Sequence, residues 1–194
     1  MGHREDLLSA ARHCLEEKGY ARTTARDLVA ESGTNLASIG YHFGSKEALL
    51  NQALIEAFED WTERLLAIAL EGREDAPLDA VAASWVEMID SFEENRPLIV
   101  AFVEALAQAE RSPELRDQLA VHYQRCRDSI AQAVAVSVGE VEGMDPQAVA
   151  SFLMAVCDGL IQQWLLDPKA TPSGEEMASS LGAALGTITA SPAV

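Results

Sequence analysis

Residues 19–50 read GYARTTARDLVAESGTNLASIGYHFGSKEALL. Gly19, Gly33 and Gly44 cut this stretch into two short pieces, each opened by a polar residue. Thr24 with Asp27 three residues on has the form of a capping box, in which a hydroxyl and a carboxylate satisfy the first free amides of a helix. Leu28 and Val29 are then its inward pair, and Gly33 is its stop. The next piece runs as a helix from about Asn35 to His42, with Ile39 and Phe43 as the buried pair. Gly44 breaks it, and Ser45 caps a long fourth helix. Two short helices joined by a Gly-containing turn make a helix-turn-helix.

Upstream, Leu7, Leu8, Ala11, Cys14 and Leu15 fall on one face of a helix from about Arg4 to Lys18, which Gly19 ends. Downstream, Leu49, Leu50, Ala53, Leu54, Ala57, Phe58, Trp61, Leu65 and Ile68 keep helical spacing to about Leu70. Further helices are expected over about 78–94, 97–111, 113–138, 146–166 and 174–190, several with Pro in the first turn. No period-2 run bounded by turns suggests a strand. The expected fold is all-α: a helix-turn-helix head over residues 1–50 and a helical body over 51–194.

Charge divides along the same line. Residues 1–50 hold six Lys/Arg against seven Asp/Glu, a net of −1; the remainder holds eight against twenty-four, a net of −16. So acidic a body repels phosphate and leaves the near-neutral head as the surface that tolerates it. Cys14, Cys126 and Cys157, odd in number and widely spaced, argue for reduced thiols and a cytoplasmic location rather than a disulfide framework. No uncharged apolar run approaches a membrane span, and the N-terminus lacks the pattern of a signal peptide.

The head's chemistry comes from its facing. With Ile39 and Phe43 inward, Ala37, Ser38 and Tyr41 point outward. Ser38 can bond base edges, and Ala37 and Leu36 can meet thymine methyls. Thr24 with the first amides of its helix, and Ser45 with Lys46, offer two anion sites. Tyr41 and His42 can each donate to a phosphate oxygen. Taken singly, His42, Tyr41 and Lys46 read equally well as surface or packing residues; their joint spacing points to DNA.

That spacing, from Gly19-Tyr20 through Thr23-Thr24, Asp27-Leu28-Val29-Ala30, Gly33 and Tyr41-His42-Phe43 to Ser45-Lys46-Glu47-Ala48-Leu49-Leu50, resembles the DNA-binding head of the TetR family of transcriptional regulators. The resemblance implies phosphate contacts by Thr24, Arg26, Tyr41, His42 and Lys46, and base reading by Leu36, Ala37 and Ser38. It also implies a dimer on a double-stranded operator, released by a small-molecule effector. Gly40 departs from the family pattern, which often has an aromatic there. It weakens the reading helix by about 1 kcal/mol relative to Ala. With no Arg, Asn or Gln on the reading face, DNA shape takes a larger share of specificity.

In the body, Trp85, Met88, Phe92, Phe102, Tyr123, Met154 and Trp164 are either core or the lining of an effector pocket, with His122, Tyr123, Gln124 and Gln162 as its polar groups. The segment AVASFLMAVCDGLIQQWLL is apolar nearly all round, so it needs cover on two sides. Phe152, Val156 and Leu160, with Leu181, Leu185 and Ile188 of the last helix, are expected to form a four-helix dimer interface. His122 and Cys126 have a metal-compatible i, i+4 spacing but no further ligand by sequence. No nucleophile elbow, phosphate loop or zinc spacing is present, so no enzyme activity, metal or cofactor is expected. The acidic charge and Gly40 leave a second reading open: a helical ligand-binding or interaction module without DNA binding.

Overall fold

In a computed structural model, the chain is described over residues 2–70, 77–139, 141–177, 179, 180 and 183. Among these lie eight helices, in order α1 His3–Lys18, α2 Ala25–Ser32, α3 Leu36–Phe43, α4 Lys46–Leu70, α5 Pro77–Asp90, α6 Arg96–Ala109, α7 Pro113–Val138 and α8 Pro146–Leu166. Helical backbone resumes at 174–177, and no strand occurs among the described residues. The all-α expectation holds among the described residues, and the first eight helices come in the expected order; most of the expected helix over 174–190 lies outside the described residues.

One boundary moved. The apolar period carries the expected fifth helix to residue 94, whereas α5 ends at Asp90. The Phe92 amide donates to the Ile89 carbonyl, an i−3 bond that tightens the last turn, and the Ser91 hydroxyl donates to the Met88 carbonyl. Phe92 remains fully buried, so the pattern was true to burial but not to helix.

The chain forms two compact units, Met1–Thr62 with Glu94–Cys126, and Glu63–Glu93 with Arg127–Val194. In the first, α1 packs on α2, α3 and α6. Its core holds Leu7, Leu15, Leu28, Leu49, Leu50, Leu54, Ile99 and Leu115, each essentially inaccessible. Burying one such side chain stabilises by about 1.5–3 kcal/mol. All five expected core residues of α1 are buried. Val29 and Phe43 are only half-buried, so each short helix of the head rests on one fully buried residue, Leu28 or Ile39.

Polar ties complete this unit. Arg12 of α1 bonds Asp60 of α4 at 2.7 Å and reaches Glu56 at 3.4 Å. The Tyr20 hydroxyl donates to Asn51 Oδ1 at 2.5 Å, and Asn51 Nδ2 donates to Gln118 Oε1 of α7 at 2.9 Å. Gly19 has φ +79°, where a side chain would be strained, and the Ala21 amide just beyond it donates to Glu104 Oε2 of α6 at 3.0 Å.

In the second unit, Phe92 packs against Trp164, ring centroids 5.5 Å apart. Gln147 Nε2 donates to Asp128, and Arg127 Nε to Ser151, joining α7 to α8. A methyl group at position 174 would collide with the backbone of Val86, so only glycine fits there.

Candidate nucleic-acid interface

The α2–turn–α3 geometry is set by its caps. Thr24 precedes α2 in extended conformation, and its hydroxyl accepts the Asp27 amide. Asp27 returns the bond: its Oδ2 accepts the Thr24 amide at 2.8 Å and the Thr24 hydroxyl at 2.6 Å. Gly33 then takes the left-handed conformation that turns the chain. Asn35 caps α3, its Oδ1 accepting the Ser38 amide at 3.1 Å. Ser45 caps α4 in the same way through the Ala48 amide.

These caps refine the two expected anion sites. The Asp27 carboxylate already sits at the start of α2, paired with Lys18. Its pKa is held far below the carboxylate range, first by the Lys18 bond and then by Thr24. The capping box thereby satisfies the Thr24 and Asp27 amides at the start of α2. At α4, Lys46 is half-buried. Its Nζ donates to the Thr23 carbonyl at 3.0 Å and lies 3.3 Å from Glu47 Oε1. Lys46 therefore latches the start of α4 to the start of α2, a role its sequence position does not reveal.

The outward face of α3 is as expected. Tyr41 is 86% exposed and Leu36 56%, Ala37 is exposed, and Ser38 is half-buried. Tyr41 and the half-buried His42 meet edge to face, centroids 4.9 Å apart. A Cβ at Gly40 would meet nothing within 4 Å. Arg26 is exposed and has no carboxylate partner among the described residues. Thr24, Arg26, Tyr41, His42 and Lys46 belong to the same compact unit as Leu36, Ala37 and Ser38.

Comparison with known proteins agrees with this geometry. Residues 7–53 match the family model for bacterial regulatory proteins of the tetR family, and residues 77–190 match the C-terminal model of BetI-type transcriptional repressors. The chain belongs to the TetR family of transcriptional regulators. Among its TetR-family relatives, the HTH-type transcriptional regulator TtgR of Pseudomonas putida is 26% identical over 171 residues, 85% of this chain and 81% of that protein. A transcriptional regulator from Saccharomonospora viridis, solved in complex with choline, superposes with TM-score 0.68 at 25% identity, covering 92% of this chain and 93% of its own. A TetR-family regulator from Rhodococcus sp. superposes with TM-score 0.70 at 28% identity, covering 96% and 98%. As a TetR-family member the chain is a DNA-binding, ligand-responsive repressor and not an enzyme.

The residues expected to line a TetR-type effector pocket fall into two groups. Phe102 and Tyr123 belong to the first unit, where they pack with Phe58 and His122; the Phe58 and Phe102 centroids are 4.2 Å apart. His122 is buried there, 3.7 Å from Glu59, and burial lowers its pKa against the opposing pull of that carboxylate. Trp85, Met88, Phe92, Met154 and Trp164 belong to the second unit. Of these Met88, Phe92 and Trp164 are buried, and Trp85 and Met154 half-buried. Gln124 and Gln162 are exposed. Cys126 Sγ lies 3.6 Å from His122 Nε2, but no group of three or more metal-ligating side chains occurs among the described residues.

Of the expected dimer residues, Phe152 is 66% exposed and Val156 half-buried, while Leu160 is covered by its own chain. Leu181, Leu185 and Ile188 lie outside the described residues. α8 is the one described helix long and apolar enough, by length and composition alone, to cross a membrane, with Asp158 in its middle.

Proposed function

We propose that the chain acts in the cytoplasm as a homodimeric repressor. Each copy presents its α2–α3 pair to one half of a double-stranded operator, and a small-molecule effector releases the complex. The observation that carries this reading is the face of α3: exposed Leu36, Ala37 and Tyr41, in one compact unit with Arg26, His42, Lys46 and the capped start of α2. Thr24, Arg26, Tyr41, His42 and Lys46 hold phosphates and fix register; Leu36, Ala37 and Ser38 read base edges.

Two heads fit one operator when their recognition helices sit about 34–36 Å apart or a multiple of it, which requires a dimer. The exposed apolar side chains of α8, Phe152 and the 87% exposed Leu166, supply a face that a second copy would cover. Leu160 adds little to it, being covered already. The head of residues 1–50 is coupled to the body of 51–194 inside the first compact unit. Asn51 to Gln118 and Ala21 to Glu104 are bonds through which a shift of α6 or α7 reaches the α1–α2 corner. An effector releases DNA only if it binds the released arrangement better than the bound one. Choline, held by the Saccharomonospora viridis regulator, is the first effector to assay.

The test pairs a mobility shift with sedimentation. The wild type should shift a duplex selected from a randomised library as a dimer. Phe152→Glu puts a charge into the apolar face, a costly burial, and should give a folded monomer that no longer shifts that duplex. A Phe152→Glu protein that stays dimeric, or a monomer that binds as tightly as the wild type, would overturn the reading.

A further inference from the structure

The cations of the head sort by what they face. Arg12 is paired with Asp60 and Glu56, and Lys18 with Asp27. Lys46 is bonded to the Thr23 carbonyl. Among the described residues, no carboxylate lies within ion-pair distance of Arg4. Its guanidinium instead stands over the ring of Phe43, 5.4 Å from the centroid. Phe43 is the last residue of α3, directly after Tyr41 and His42.

This placement has three consequences. A guanidinium resting on a ring face is oriented while its in-plane N–H donors stay open to a second partner. Its position, exposed in the first turn of α1, adds the partial positive charge of that helix end. The neighbouring acids are turned elsewhere: Glu5 and Asp6, with His13 and Glu31, line a shallow depression between α1 and α2 that does not include Arg4. Residues one and two apart on a helix do not face each other.

We propose that Arg4 is a phosphate contact flanking the C-terminal end of the recognition helix, positioned by Phe43. This rests on the DNA-binding function proposed for the head. It adds to the phosphate grip a residue outside the helix-turn-helix, held by the half-buried Phe43 ring at the end of α3.

The test is the salt dependence of binding. Anisotropy would follow wild type, Arg4→Gln and Arg4→Lys on a duplex selected by the wild type and on an unrelated duplex, from 50 to 200 mM potassium chloride. One lost phosphate contact lowers the slope of log affinity against log salt by about 0.9, or about 1.8 for the two heads of a dimer. Over that fourfold range the wild type should therefore lose about 12-fold more affinity than Arg4→Gln. Arg4→Lys should keep the wild-type slope, and the loss in Arg4→Gln should be equal on both duplexes. An unchanged slope in Arg4→Gln, or a loss confined to the selected sequence, would overturn the proposal. Failure of the wild type to bind any duplex would sink the DNA-binding function itself instead.

Discussion

Removing the Tyr20 hydroxyl isolates one link of the head. In Tyr20→Phe the Asn51 carbonyl oxygen loses its donor, at a residue only 3% exposed, while Nδ2 keeps its bond to Gln118. An unsatisfied buried acceptor costs about 1–3 kcal/mol. For a chain of this length each kcal/mol lowers the melting temperature by about 2–4 °C, so a loss near 2 kcal/mol should appear as about 4–8 °C. Adding Asn51→Leu should recover part of that loss. Both partners are then apolar, and Gln118, half-exposed, can turn to water. Urea unfolding of the four proteins of this cycle measures the coupling. Ultraviolet titration gives a second readout. Burial, helped by Glu47, pushes the Tyr20 phenol up to about 12, so the wild type should show a late phenolate step that Tyr20→Phe lacks. Because the folded value lies above the unfolded one, this contribution is complete below pH 10 and is lost as pH rises toward 12. A Tyr20→Phe protein within about 0.5 kcal/mol of wild type, or strictly additive effects in the cycle, would refute the reasoning, since the chain of bonds would then carry no load.

Two further outcomes are expected. Asp27, held below the carboxylate range by Lys18 and Thr24, stabilises the head above its unfolded pKa and loses that contribution as pH falls; wild type and Asp27→Asn should differ in urea stability near neutrality and converge in acid. Lys46→Ala should lower the salt slope of DNA binding by about 0.9 per chain and also lower the melting temperature, because the Thr23 carbonyl loses its donor; a change in only one of the two would separate its phosphate role from its latch.

The parts of the fold that were legible in the sequence are those written by local rules. Thr24, Asn35 and Ser45 each announce a helix start, and each caps one. The stripe Leu7, Leu8, Ala11, Cys14, Leu15 is buried as its spacing requires. The outward set on α3 is dictated by the position of Ile39. The hidden parts depend on partners far along the chain. Nothing around Ala21 points to Glu104, and nothing around Lys46 points to a carbonyl 23 residues back. One signal was available: Asn51 is a polar residue beside Leu49, Leu50, Ala53 and Leu54, and a polar group amid such burial needs partners. The aromatic residues of the body carried no such signal, because core and pocket lining obey the same periodicity.

The corner at Gly19 and Ala21 bears on how regulators of this kind are recombined. A chimera cut at residue 50 would transplant Tyr20, Ala21 and their helices but leave Glu104 and Gln118 with the donor. The grafted piece would arrive with the Ala21 amide open, and a cut just beyond Asn51 would bring that side chain without its second partner. A transplant that respects the molecule takes Glu94–Cys126 along with Met1–Thr62. The exchangeable cassette is discontinuous in sequence: two of its edges fall within α4 and α7, and only the one at Glu94 falls in a turn, between α5 and α6.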